Sequence, residues 1–449
     1  MRKIAPGSFQ KQTRAGRRPP LNVPELASRV AALNVFQGVV IDRRAVDDTF
    51  DTAVKDLAPR DRAFVRMLVA TTLRRLGQID AALADFIDRQ PPEVVRDIMR
   101  LGAAQLLFLG TPPHAAVATT VGLVRARGMD RLAGLVNAVM RRVADKGVEL
   151  VSEQDAGRLN TADWLWQSWA RTYGADVSSQ IAFAHLTEPP LDLSLKDATS
   201  AEAWAQKLDA TLLPTGTLRR FEHGRVTELE GFSEGAWWVQ DAAAALPARI
   251  LLHALKGVES PTVIDLCAAP GGKTAQLAAA GCKVTSVDLA ADRLRLLTEN
   301  MARLNLPGDV VTADAVSWRP AEKVDAVLLD APCSATGTLR RHPDLPHLKQ
   351  SADIAGFAEN QRRLIAAALE MVKPGGFLLY SVCSLQPEEG QAIAATVGDK
   401  ATRVPITADA VGGLAQLLTP EGELRALPCY LAEQGGMDGF YGVLFKLGA

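Results

Sequence analysis

PTVIDLCAAPGGKT, residues 261–274, is the stretch from which the fold can be read. Residues 263–267 form a short, mostly apolar and partly β-branched run, which predicts a buried parallel strand. Ala268, Ala269, Pro270, Gly271 and Gly272 follow as a turn of small residues, and TAQLAAAG (274–281) then reads as a helix. A strand, a glycine turn and a helix start make a ligand site: backbone can approach closely, and the helix N-terminus offers free N–H groups.

Several readings of that turn compete. A phosphate-binding loop needs G-x-x-x-x-G-K-[ST]; Gly272-Lys273-Thr274 fits its end, but Cys267 occupies the first glycine position. A dinucleotide turn needs G-x-G-x-x-G, which is absent. S-adenosylmethionine (SAM) has no pyrophosphate and needs only close backbone approach and an acid for its ribose. An ordinary strand-to-helix turn is the fourth reading, and the downstream residues decide among them.

Further strands are predicted at 283–289, 309–313, 324–329 and 376–381, with helices over 292–305 and 359–372 between them. WWVQDAAAALPARILLHAL (237–255) reads as a helix ahead of the first strand. The alternation predicts an α/β Rossmann-like, doubly wound sheet with its ligands beyond the strand C-termini, at the switch point. Asp288 ends the second strand, 21 residues beyond Cys267, where an acid would meet a ribose. Asp314 follows the third strand and is placed to meet an adenine edge. Taken singly, each acid is equally a helix cap or a solvated loop residue; jointly they fit an adenosine-bearing ligand.

The fourth strand runs into Asp330-Ala331-Pro332-Cys333 and the fifth into Ser381-Val382-Cys383-Ser384. As neighbours beside the first strand, they would bring Cys333 and Cys383 to one pocket beside the SAM methyl. Free cysteine favours buried strand interiors over polar loops, so two thiols here point to chemistry. Carbon five of cytosine is a poor nucleophile. A thiolate adding to carbon six makes the ring an enamine whose carbon five attacks a methyl group. Asp330 would stabilise the charge that develops on the ring nitrogen.

The chain has 449 residues, 48% of them hydrophobic and 22% charged, enough for two or three soluble domains. It has no apolar run of bilayer length, and residues 1–12 lack a signal-peptide core. Cysteines 267, 282, 333, 383 and 429 form no C-x-x-C pair, which argues against metal and disulfides and for reduced thiols in a cytoplasm. The formal net charge of −1 conceals an asymmetry: residues 1–150 hold 24 Lys/Arg against 15 Asp/Glu, the remainder 26 against 36. That split fits a polyanion-binding module joined to a second unit, or simply an uneven surface.

Residues 1–20 are basic and are expected to be disordered when free. Residues 21–147 read as a helical bundle punctuated by Pro91-Pro92 and Pro112-Pro113, with Arg74-Arg75 and Arg141-Arg142 near helix ends, available to phosphate. Residues 144–162 read as a polar connector. Residues 148–234 read as a small α/β connecting domain, with Trp164, Trp166 and Trp169 as inter-domain packing or, less directly, a base-stacking surface. Residues 235–449 form the catalytic unit.

Two resemblances extend this reading. RLGAAQLLFLGTPPHAAV (100–117) and LVNAVMRRV (135–143) resemble the all-helical NusB fold, which implies RNA binding. LCAAPGGKT (266–274), DAPCSATGTLRRHPD (330–344), YSVCSLQPEEG (380–390) and DGFYGVLFKL (438–447) resemble the signature blocks of bacterial RNA (cytosine-5) methyltransferases of the RsmB/Sun family. That resemblance implies SAM contacts at Cys267, Ala268, Ala269, Pro270, Gly271, Gly272, Lys273, Asp288, Asp314 and Asp330. It further implies Cys383 as nucleophile, Cys333 as the thiol that aids product release, and small-subunit (16S) ribosomal RNA as substrate, with no oligomeric partner indicated. Ala335 and Gly390 depart from the family, which usually has glycine and asparagine there. The rival readings are the same chemistry on transfer RNA, and a non-catalytic RNA-binding assembly factor.

Overall fold

A computed structural model describes residues 23–222 and 224–448; the basic segment 1–20 lies outside them. Helices Val23–Val40, Val46–Val54, Pro59–Arg74, Leu76–Ala84, Glu93–Leu107, Pro113–Ala126 and Ala133–Glu153 form the N-terminal bundle. The proline pairs mark starts: Pro92 precedes Glu93, and Pro113 opens its helix, where a missing N–H costs nothing. Val136, Val139, Met140 and Val143 of the last helix are buried at helical spacing in one core with Leu33, Phe36, Leu68 and Ile98. Each such side chain contributes about 1.5–3 kcal/mol on leaving water.

The last helix runs to Glu153, well into the stretch read as a polar connector, so Arg141 and Arg142 lie mid-helix on its exposed face rather than near an end. The other arginine pair turns inward. Arg74 donates to the Arg340 carbonyl at 2.9 Å and Arg75 to the Leu186 carbonyl at 3.2 Å, so this pair joins domains. Arg43 donates to the His347 carbonyl at 2.7 Å, and Asp344 accepts the Val46 N–H at 3.0 Å.

Strands β1 (Leu191–Leu195), β2 (Thr211–Leu212), β3 (Leu218–Arg220) and β4 (Trp237–Val239) form an antiparallel sheet of order β2-β3-β1-β4. Residues 237–239, read from sequence as helical, therefore pair with β1, and the following helix begins only at Leu246. Trp169 is fully buried with Leu165 and Ile181 against Leu339, Leu385 and Leu427, with Trp164 partly buried in the same cluster, whereas Trp166 lies outside it against Arg158.

The large sheet contains β5 (Thr262–Leu266), β6 (Lys283–Asp288), β7 (Asp309–Thr312), β8 (Val324–Asp330), β9 (Val372–Val382), β10 (Ala401–Val404), β11 (Leu424–Ala426) and β12 (Phe440–Leu447). Its order is β10-β12-β9-β8-β5-β6-β7; β9 through β7 are parallel, β12 lies antiparallel to β9, and β11 pairs with β12. Strand residues alternate between two cores. Val263, Ala326, Leu328 and Leu379 face helices Leu246–Ala254, Gly272–Ala279 and Ala291–Leu304; Ile264, Leu266, Val327, Leu329 and Leu378 face helix Asp353–Met371. Burial on both faces explains why these strands read as apolar runs. The chain leaves β5 through β6 and β7 and returns to β5's other side at β8, so the switch point lies between Leu266 and Asp330. Among the described residues no helix is long and apolar enough to cross a membrane.

Candidate active site

Past Leu266 the backbone turns sharply: Cys267 has φ +60° and Gly271 φ +102°. A Cβ on Gly271 would lie 2.8 Å from Leu297 Cγ, so both backbone angle and space require glycine. The loop is tethered from β6. Asp288 accepts the Ala269 N–H at 3.1 Å on one oxygen and the Ala290 N–H at 2.9 Å on the other, while Arg293 donates to the Ala269 carbonyl. Each carboxylate oxygen has a second lone pair, so Asp288 retains acceptor capacity.

Two cavities meet at Cys267. The smaller, about 200 Å³, is lined by Cys267, Asp288, Leu289, Asp314, Pro332 and Leu364. The larger, about 320 Å³, is lined by residues 267–273, Trp238, Asn300, Arg303, Asp265 and Asp330. Every cofactor position expected from sequence thus lines one cavity or the other. Asp314 is exposed, and its carboxylate also accepts the Val316 N–H at 2.9 Å.

Asp265 is buried beneath the loop with one oxygen lacking a hydrogen-bond partner. Burial raises its pKa to about 7, against the opposing pull of the Thr274 hydroxyl and Lys273. Asp288, Asp314 and Asp330 share these cavities with Lys273, Arg293 and Arg303, a mixed lining whose carboxylates offer acceptors to a ribose and an ammonium group. The residues present fit SAM, which supplies an electrophilic methyl group when bound.

At the ends of β8 and β9, Asp330 lies opposite Ser381 in register. Lys273 Nζ donates to Asp330 Oδ2 at 2.7 Å and the Ser381 hydroxyl to Oδ1 at 2.9 Å. Burial by itself would lower the Lys273 pKa; Asp330, Asp265 and Cys383 outweigh it and hold the ammonium charged. The Cys333 and Cys383 sulfurs lie 3.4 Å apart, both half-buried. The Cys333 thiol pKa is pushed well up, first by its hydrogen bond with Cys383, then by burial and the nearby charge of Glu389.

Sequence reasoning missed the walls around these thiols. Arg340 is buried between Asp241 and Asp438, at 2.7 Å from each, and Arg341 reaches the same two acids at 2.6 and 3.0 Å. The adjacent arginines in LRRHPD were a visible signal; their partners, about a hundred residues away on either side, were not. A Cβ on Gly337 would lie 2.2 Å from the Gly439 carbonyl oxygen, so two glycines let these walls cross. Ala335 occupies the left-handed region at φ +57°, which accounts for the family's usual glycine there.

A glycine turn with acids at the strand ends, at the switch point of a parallel sheet, suits SAM, and the class is a SAM-dependent methyltransferase. Residues 252–446 match the family model described as 16S rRNA methyltransferase RsmB/F, and residues 26–145 match the NusB family. The ribosomal RNA small subunit methyltransferase B of Vibrio cholerae serotype O1 is 34% identical over 382 residues, 81% of this chain and 87% of that protein. Its counterpart in Xanthomonas campestris pv. campestris is 35% identical over 397 residues, 82% and 86% of the two chains. The crystal structure of PH0851 shares the fold, with a TM-score of 0.72 at 21% identity over 95% of this chain and 99% of that one. The chain belongs to the ribosomal RNA small subunit methyltransferase B family.

Proposed function

We propose that this enzyme methylates carbon five of a cytosine in small-subunit ribosomal RNA, with Cys383 as attacking thiolate and Cys333 as the group that assists release. The observation that carries this reading is the 3.4 Å pair of thiols beside the Asp330 carboxylate. Cys383 Sγ bonds to carbon six, and the ring electrons move to carbon five, which takes up the methyl group. Asp330, paired with Lys273 at 2.7 Å, balances the positive charge that develops on the ring nitrogen. Cys333, as thiolate, then takes the proton from carbon five, the double bond reforms, and the carbon–sulfur electrons return to Cys383. Cys333 stands within proton-transfer reach of that sulfur.

The substrate class rests on the family and on charge. Arg141 and Arg142 are exposed on a bundle rich in basic residues, where phosphate contacts add affinity without reading sequence. Free thiols at all five cysteines support a reducing cytoplasm. The test is methyl transfer from labelled SAM to unmodified small-subunit rRNA and to transfer RNA, mapped by bisulfite sequencing. A protected cytosine in the ribosomal RNA is expected. Label on transfer RNA alone would move the substrate, and no label on either would leave a non-catalytic assembly factor.

A further inference from the structure

Glu389 is fully buried and plays no part in the chemistry above. One carboxylate oxygen accepts the Ser334 backbone N–H at 2.8 Å and the Gln361 amide at 3.1 Å. The other accepts the Ser384 hydroxyl at 2.6 Å and the Ser334 hydroxyl. Ser334 follows Cys333 in the chain and Ser384 follows Cys383, so one carboxylate holds the residue next to each thiol. Gln361 extends the hold to the Pro332 carbonyl at 2.9 Å, and the Tyr380 hydroxyl fixes the Glu389 backbone at 2.6 Å.

All four donors to this carboxylate are uncharged. A buried carboxylate without a cation is tolerated only while its hydrogen bonds are complete. Any donor that drifts away uncovers charge in a dry interior, so the two loops are held together more stiffly than apolar packing would hold them. We propose that Glu389 is a positioning residue that sets the separation and aim of the Cys333 and Cys383 sulfurs by gripping Ser334 and Ser384 on one carboxylate. The inference rests on the covalent reading above.

The probe is a small-subunit rRNA transcript carrying 5-fluorocytidine, whose carbon–fluorine bond blocks the final proton loss and traps the protein–RNA bond. A misplacement of about 1 Å costs on the order of a hundredfold in rate. Glu389→Ala is therefore expected to lower kcat and the adduct rate about ten- to a hundredfold, with KM for SAM and for RNA within about twofold of the parent. Glu389→Gln keeps the volume, and both serine hydroxyls can turn to accept from its amide, so it should recover to within about threefold. If Glu389→Ala does not fold, Ser384→Ala removes one gripped hydroxyl and should slow the adduct at unchanged SAM affinity. An adduct rate matching the parent's in the folded variant overturns the inference, as does a loss of kcat matched by an equal loss of SAM affinity. No adduct from the parent enzyme overturns the covalent reading and this inference with it.

Discussion

In the helical bundle, Leu33, Phe36, Leu68, Ile98 and Met140 fill the interior, while Arg141 and Arg142 face water. Outside the bundle several buried groups are of another kind: Arg340 with Asp241 and Asp438, Arg219 of the small sheet with Asp192, and Glu389 beside the thiol loops with its four neutral donors. The bundle also carries an ionic cluster, Arg100 with Asp80 and Asp97 at 2.7 Å each, but its members lie within 20 residues of one another. The two acids of Arg340 lie 98 and 99 residues from it, whereas Arg219 and Asp192 are 27 apart and the donors to Glu389 come from 5 to 55 residues away. Apolar packing stabilises the helical bundle and tolerates exchange of shape. The rim of the catalytic cleft relies on geometry, and removing one partner leaves a charge stranded.

The largest contrast is therefore between Arg340→Met and Leu68→Met. Removing Arg340 takes one of two cations from a pair of buried carboxylates, leaving Arg341 to hold both, and should cost about 1.5–3 kcal/mol. The volume-conserving change at Leu68 should cost less than about 1.5 kcal/mol. Denaturant unfolding of the two variants compares them; a loss below about 1 kcal/mol for Arg340→Met would put this network on a par with a surface ion pair.

Asp288→Ala comes next. It removes the acid expected to meet the ribose and also frees the Ala269 N–H that steadies the loop. A loss of roughly 1.5–3 kcal/mol, on the order of ten- to a hundredfold in SAM affinity, should appear in calorimetric titration. Unchanged affinity would remove Asp288 from the cofactor site.

His185 sharpens the comparison at the junction of the two regions. Burial, reinforced by Arg340 and Arg74, lowers its pKa from 6.5 to about 3. The unfolded chain takes up a proton as pH falls through 6.5 and the folded chain does not, so stability is lost from there down toward pH 3. The parent should lose about 1.4 kcal/mol per pH unit more than His185→Phe between about pH 6 and 4. Parallel unfolding profiles for the two proteins would show that His185 does not remain neutral in the fold.

The smallest effect belongs to the bundle surface. Arg141→Gln with Arg142→Gln should lower RNA affinity a few-fold and reduce the salt slope by about 1.5, leaving SAM binding unchanged. An unaltered slope would take this face out of the RNA path.

Much of the catalytic unit was legible because β5, β6, β8 and β9 are buried on both faces and end in the residues that line the site. The small-residue loop, its acids and the two thiols were all readable as strand-end residues. What could not be read was pairing at a distance: Asp241 and Asp438 look like ordinary loop acids until Arg340 is placed between them. In the run Pro387-Glu388-Glu389-Gly390, Glu388 is exposed and Glu389 buried, a difference set by the loops that close over it and not by local spacing. Trp237–Val239 was read as helix because its apolar residues adjoin AAAALPARILL, and only its pairing with β1 makes it a strand.

The central claim is the division of labour between two sulfurs 3.4 Å apart, and the most direct test is the covalent species each single variant leaves. After incubation with SAM and small-subunit rRNA, Cys333→Ala should accumulate a protein–RNA adduct that survives a denaturing gel. Cys383→Ala should form none and methylate nothing. The reverse pattern would assign the nucleophile to Cys333, and methylation retained by both variants with no adduct would contradict the covalent mechanism itself.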